Sequence, residues 1–412
     1  MRRKGTVWVH SGLAKVGGLM FCAFLVFCGK SGSGGEEEGP IDETIRTVIR
    51  NVGENIILPG ERLLRDSLSG LEAALVSWSQ APEDEERRAM ARARFREIIP
   101  LLERTELFQL GPAAPSGTSP EAADLRDERY AWPIFNPCRI DELIVTEATI
   151  DESALARKPI NVRGLGAVGY LLHVPDEQSA CPPSTPFIAD GRWNALGRAE
   201  LRARRARYAL SATRLAKAAS ERLVRSWEEG FLERWAGAGR GNPSFPSARR
   251  GLNALSDALF YIYEPLLNMK IGRPAGGYGC AFSSCPSDVE WFWIDTTLGE
   301  GEGESLRSIK VNLNTFQDLY LGRAQGVDGP GLDEILRAIG AESLDGRIRE
   351  AIQKCQNAAN QIEGPLHRAV ELRNAQAQAL VQALRELTGL LRDEMVPVLA
   401  IALPKRTQGD ND

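Results

Sequence analysis

The stretch Gly164-Leu165-Gly166-Ala167-Val168-Gly169-Tyr170-Leu171-Leu172-His173 decides the fold class. Its glycines have the G-x-G-x-x-G spacing of a dinucleotide-binding turn, which must follow a β-strand and open a helix inside a βαβ unit. Nothing before Gly164 reads as a strand; the approach is Lys158-Pro159. No βαβ alternation appears along the chain. The glycines therefore read as a close-packed helix entry, where absent side chains let backbones approach.

Outward from this stretch the pattern is helical. Upstream, Leu64, Leu68, Leu71, Leu75 and Trp78 step by four and three, one face of a bundle helix. Pro59 should kink or split that run after Leu58. Glu83 to Arg104 continues with Phe95, Ile98 and Leu102 on one side, and Gly111-Pro112 stops it. Downstream, Trp193 to about Trp235 is the longest helical signal, with a ridge at Leu223, Trp227, Phe231 and Trp235. Its basic run, Arg198, Arg202, Arg204, Arg205 and Arg207, reads as a solvated face balanced by acidic neighbours rather than an anion site. Val289 to Asp295 is a short strand or a buried turn. Leu306 to Leu321, Leu332 to Ala359 and Pro365 to about Leu399 are further helices, the last with a seam at Leu380, Leu384, Leu387 and Leu391. The expected fold class is all-α: two packed antiparallel helical bundles, residues 41–236 and 237–412, divided at the Gly237 to Pro243 break.

Composition excludes some functions. The 412 residues carry a net charge of −5, and three histidines, His10, His173 and His367. A His-rich catalytic metal site is improbable on that count, and so acidic a chain is a poor nucleic-acid binder. There is no G-x-S-x-G elbow and no H-E-x-x-H. The sequence points to no cofactor and no metal.

The N-terminus, residues 1–27, reads as an export signal: Arg2, Arg3, Lys4 and Lys15 lead into an apolar stretch from Val16 to Phe27, too short for a membrane anchor. Leu25-Val26-Phe27-Cys28-Gly29 resembles a lipobox, with Cys28 the lipidated residue and Phe27 the departure from its usual small residue; ordinary secretion is the alternative. Residues 28–40 then form a Gly/Ser/Glu tether. These features place the body at the bacterial cell envelope, on the membrane through a lipid anchor, facing the periplasm or the cell surface. In an exported protein cysteines pair. Cys280 with Cys285 and Cys138 with Cys181 are the expected disulfides, leaving Cys355 as the odd thiol.

Several segments together resemble the imelysin-like proteins, also classed as the imelysin peptidase family. They are Val48 to Pro59 (VIRNVGENIILP), Glu103 to Pro112 (ERTELFQLGP), Tyr130-Ala131-Trp132-Pro133, Gly164 to His173, Leu306 to Gly322 and Gly364-Pro365-Leu366. The resemblance implies two helical bundles in an exported, often lipid-anchored protein. Some members are described as peptidases, others as iron-uptake components or polysaccharide-binding proteins. The family signature is G-x-H-x-x-E at the interface between the bundles. Gly164 matches its Gly, but Gly166 stands at the His position and Gly169 at the Glu position, so the motif is degenerate. Glycine can neither bind a metal nor move a proton. His173, seven residues beyond the lost His, does not inherit its role. The expected function is a binding protein without the family's metal or catalytic pair, linked to iron uptake, with a small ligand, a glycan or an envelope protein as partner. The alternative is an imelysin-type peptidase acting through other residues. Arg139, Asp141, Tyr170, Asn312 and Asn314 are the candidate ligand-facing residues, with Arg139 and Asp141 placed either to pair with each other or to line a pocket.

Overall fold

A computed structural model describes residues 39–147, 150–277, 285–299, 301–324, 326–373 and 375–403. The leader, Cys28 and most of the tether fall outside these residues, as does Cys280. Among the described residues the elements are helices and helical turns, apart from a hairpin pairing Arg323–Ala324 with Val327–Asp328. The all-α expectation holds. No helix of the described residues is long and apolar enough to cross a membrane.

Local chemistry explains the main helix boundaries. The Glu85–Thr105 helix starts at Asp84, whose carboxylate accepts from the backbone N–H groups of Glu86 and Arg87 at 3.0 and 3.2 Å. Pro59 does not split its helix. Instead a wide turn, Gly53–Ile57, runs directly into Leu58–Gln80. Proline lacks an N–H, and its ring crowds the carbonyl four residues back, here Asn55; widening the preceding turn relieves that clash. The expected Trp193–Trp235 helix is interrupted at each end. It consists of Arg192–Ala195, Gly197–Ser226 and, past a kink where Gly230 has φ 122°, Leu232–Ala236. Val289 to Asp295 is no strand: it is a turn opening the short Phe292–Leu298 helix.

The apolar residues gather into two cores. One lies among Leu58–Gln80, Glu85–Thr105, Gly164–His173 and Gly197–Ser226, and includes Leu64, Leu75, Trp78, Phe95 and Leu172. The other joins Pro40–Val52, the Trp227/Phe231/Trp235 ridge and the C-terminal helices, with Leu380, Leu384, Leu387 and Leu391 all buried. Residues 41–236 thus feed both cores, and Ala236, Ala238 and Ala248 beside the glycine-rich break belong to the second. The second-core helices pack against the first at Trp291 and Ile294, which belong to the first core although they lie beyond residue 237.

The Gly164–His173 helix is buried along nearly its whole length. Gly164 takes φ 74°, and a Cβ there would stand 2.6 Å from the carbonyl oxygen of Arg129. Only glycine meets both demands. The opening stretch is therefore the close-packed helix entry that its composition implies.

Candidate functional site

Where the cores meet, four separate segments bring charged groups together out of water. Glu103 comes from the end of the Glu85–Thr105 helix. Lys270 comes from the wide-turn segment Tyr263–Gly272, Glu290 from the turn before Phe292, and Asn312 from the Glu304–Leu321 helix. The Lys270 ammonium is paired with Glu103 and lies 2.7 Å from Glu290 Oε2. Its Nζ also donates to Asn312 Oδ1 at 2.9 Å. The Asn312 amide donates to the Glu103 carbonyl at 2.7 Å, and Trp291 Nε1 donates to Glu103 Oε1 at 3.0 Å. Tyr130 donates its hydroxyl to Glu290 Oε1 at 2.7 Å. The three charged side chains are between 0 and 1% exposed.

Burial alone favours a neutral amine, but the Glu103 and Glu290 carboxylates outweigh it and hold Lys270 well above the usual lysine range. Burial, and then the charge on Glu103, push Glu290 up to about 8. With Glu290 ionised, two carboxylates against one ammonium leave one negative charge in excess; below about pH 8 a proton on Glu290 removes it. Nearby buried carboxylates are already matched: Glu61 is paired with Arg129, and Glu106 with Arg126. Tyr261 adds a ring 5.6 Å from Lys270 Nζ, and Trp132 another at 5.5 Å.

Glu290 also lines a cavity of about 20 Å³ at Gly166 and Gly169. Its walls include Tyr130, Trp132, Phe135, Tyr170, Trp291 and Trp293. Tyr130 and Trp291 stack at 5.4 Å, and Tyr170 meets Trp293 edge to face at 5.2 Å. Phe135, Gly166 and Trp293 are half-buried and form the rim.

The two glycine positions of the signature do not supply a metal site. A Cβ on Gly169 would lie 3.0 Å from two ring carbons of Phe95 and 3.1 Å from Trp291; one on Gly166 would lie 3.4 Å from Phe135. At Gly169 aromatic carbon occupies the space a ligating side chain would need; at Gly166 a Cβ would only touch Phe135. Among the described residues no group of three His, Cys, Asp or Glu is arranged to hold a metal. The residues present do not fit a metal here.

The structure scatters the five candidates. Tyr170 lines the cavity, and Asn312 belongs to the charged cluster. Asp141 is buried beside them: one of its oxygens accepts from Tyr170 at 2.7 Å, Ser179 at 2.8 Å and the Ala180 N–H at 2.8 Å. Burial raises its pKa, against those bonds. Arg139 does not pair with Asp141. It is exposed and paired with Glu142, three residues on along its own helix. Asn314 is exposed and accepts from Gln356 at 2.9 Å. Neither lines the cavity. His173 is 2% exposed, its Nδ1 lies 3.0 Å from the Gly169 carbonyl, and burial pushes it down to about 3, so it stays neutral.

The arginine run is not a solvated face throughout. Arg205 is fully buried, donating to the carbonyls of Pro175 at 3.0 Å and Gln178 at 2.8 Å. Arg202 and Arg88 converge on Asp176. Together they clamp the loop after His173, and the expected Cys138–Cys181 disulfide, which is present, ties the same loop down. Cys285 is disulfide-bonded, but Cys280 lies outside the described residues. Cys355 is the buried free thiol.

Sequence reading missed Lys270, Glu103 and Glu290. A signal existed: Lys270 is the one charge in Leu266-Leu267-Asn268-Met269-Lys270-Ile271, and a lysine in so apolar a run must find a partner or face solvent.

This helical architecture is shared with solved proteins. A family model described as Imelysin matches residues 58–392. The chain belongs to the imelysin family. An imelysin-like protein from Psychrobacter arcticum 273-4 is 16% identical, with a TM-score of 0.63 over 88% of this chain and 97% of that one. A chain from Parabacteroides distasonis ATCC 8503, called an iron-regulated protein A precursor, is 15% identical, with a TM-score of 0.62 over 88% of this chain and 96% of that one. At these identities the likeness is one of fold. No curated protein matches the chain.

Proposed function

We propose that this protein is an exported, lipid-anchored imelysin-family binding protein that does not hydrolyse peptides by a metal-assisted route. The observation that carries the reading is at Gly169, where Phe95 and Trp291 would stand 3.0 and 3.1 Å from any Cβ. The nearest buried carboxylates, Glu103 and Glu290, are bridged by Lys270 instead of being free to ligate. A hydrolytic metal needs open coordination and a bound water, and neither motif position offers a donor. The Cys28 lipobox and the tether support a body held at the cell envelope, with a small ligand, a glycan or an envelope protein as partner. The link to iron uptake is carried by the name of the Parabacteroides chain alone.

Incubating the purified mature protein with unfolded casein, with and without EDTA, tests the first part. No cleavage is expected; chelator-sensitive cleavage by the pure protein sinks the reading. Metabolic labelling with a palmitate analogue tests the anchor. Label should enter the wild type and vanish in Cys28→Ser, and an unlabelled wild type removes the lipoprotein assignment. If transcript levels do not respond to iron limitation, the iron link goes too.

A further inference from the structure

We propose that the aromatic notch over Glu290 binds a small organic ammonium ion, the head group of a primary amine. This rests on the binding-protein reading above and names its ligand class.

Three features specify that chemistry. The first is charge: Glu103 and Glu290 face a single ammonium, Lys270, so once Glu290 gives up its proton one negative charge in the cluster has no cation, while Glu61 and Glu106 have theirs in Arg129 and Arg126. The second is the wall. Aromatic faces attract cations through their quadrupole, more strongly when water is excluded. Lys270 already uses this attraction, with its Nζ 5.5 Å from the Trp132 ring, and Trp132 is also a wall of the notch. The third is size. The cavity is about 20 Å³, where a single water needs roughly 10–15 Å³ on the same kind of measure. An ammonium-sized head group fits; a sugar ring does not. A hard metal ion wants several oxygen ligands, and apart from Glu290 the walls are aromatic rings, glycine and Ile294.

The glycines acquire a role from this geometry. Gly166 is on the rim, and a Cβ there would already touch Phe135 at 3.4 Å. Any longer side chain would fill the notch. The positions where the signature has His and Glu are thus the positions that keep the notch open.

The groups that face Glu290 give the site a pH signature. They are Glu103 from the end of the Glu85–Thr105 helix, Lys270 and Tyr261 from the 260–272 segment, and Tyr130 from the segment before the cis Trp132-Pro133 bond. Burial and Glu103 push Glu290 up to about 8, so below that pH an incoming cation must displace a proton. Affinity should rise with pH up to about 8 and level off above it.

The test titrates methylammonium chloride into the purified mature protein, with potassium chloride holding ionic strength constant. Binding is read by tryptophan fluorescence, since Trp132, Trp291 and Trp293 line the notch, and by calorimetry. Saturable binding is expected, about tenfold tighter at pH 9 than at pH 7 for a displaced proton with the pKa given above. It should weaken at least tenfold in Glu290→Gln, and equally in Gly166→Leu, which plugs the rim without touching the charges. Methanol, a neutral analogue, should give no saturable change. No saturable response in the wild type, an unchanged affinity in folded Gly166→Leu, or no dependence on pH overturns the inference. Casein hydrolysis sinks the binding-only reading whatever methylammonium does. A silent titration from a protein that leaves casein intact sinks this inference alone.

Discussion

Lys270 and His173 are both buried ionisable residues, and their environments have opposite effects. Lys270 is held charged by two carboxylates. Removing one partner of a buried ion pair leaves the other uncompensated, at a cost of roughly 3–5 kcal/mol. Lys270→Met should therefore destabilise the protein by about that much in urea unfolding. The double variant Lys270→Met/Glu103→Gln should recover part of the loss, because it removes the carboxylate that losing Lys270 leaves uncompensated. If the double variant is no better than the single one, the charge argument fails. His173 is held neutral. Its folded pKa, about 3, lies below the value of 6.5 for a free histidine. Below pH 6.5 the unfolded chain takes up a proton that the native one refuses, so stability falls as pH drops from 6.5 towards 3. The loss over that window is on the order of 4 kcal/mol. His173→Leu should flatten the decline, which urea midpoints at pH 7, 5 and 4 would reveal. A parallel decline in the variant would assign the acid sensitivity elsewhere. Neither environment was readable from sequence. Glu103 is 167 residues from Lys270 and Asn312 is 42, and hydrophobic periodicity speaks only of neighbours on one helix. Asn312 and Tyr170 came through as candidates because they sit in family-like segments. Asn314 sits in the same segment as Asn312 but on an outward face, and Arg139 lies outside those segments on an exposed helix face.

Helices were legible wherever one apolar face repeated. The Leu64 to Trp78 stripe and the Leu380 to Leu391 seam are buried as their spacing implies. What periodicity could not give was how a helix absorbs a disruption. At Pro59 the chain widens one turn and continues. Across 332–360 the chain breaks instead, into Leu332–Ala338 and Glu342–Asn360, with Gly340 at φ 78° between them. The loop after His173 shows a third solution, held by Arg88, Arg202 and Arg205 and by the Cys138–Cys181 bridge. The bridge closes 43 residues, which the chain-entropy model values at about 4 kcal/mol. Cys138→Ala/Cys181→Ala should lose a stability of that order. It should also expose the 174–181 loop to limited proteolysis, because Asp141 anchors Ser179 and Ala180 beside the bridge. Unchanged stability and an uncut loop would mean that the arginine clamp suffices alone.

At the scale of the whole molecule the two cores are interleaved rather than serial. The described residues between 39 and 403 form one compact unit. Ile45, Val48, Ile49 and Val52 lie in the core that also takes in the Trp227/Phe231/Trp235 ridge and the C-terminal helices, whereas Trp291 and Ile294 reach back into the other. The glycine-rich segment from Gly237 to Pro243 looks like a boundary because its composition breaks a helix, yet apolar residues on both of its sides share one core. Separating the chain there would leave the Pro40–Val52 face, with its four buried aliphatics, open to water on one fragment. The matching face of the C-terminal helices would be open on the other. Each buried aliphatic contributes roughly 1.5–3 kcal/mol relative to exposure, and domain stabilities are only about 5–15 kcal/mol. Residues 41–236 expressed alone should therefore bind the dye ANS strongly and show poorly dispersed amide spectra. The intact 39–403 body should unfold in a single transition followed alike by tryptophan fluorescence and circular dichroism. The charged cluster makes the same point from within, since Glu103 lies before the break and Lys270, Glu290 and Asn312 after it. A fragment ending at 236 would keep Glu103 without its ammonium. A well-dispersed spectrum from that fragment, or two separate transitions in the whole body, would show that the halves are autonomous and that the junction is a docked interface.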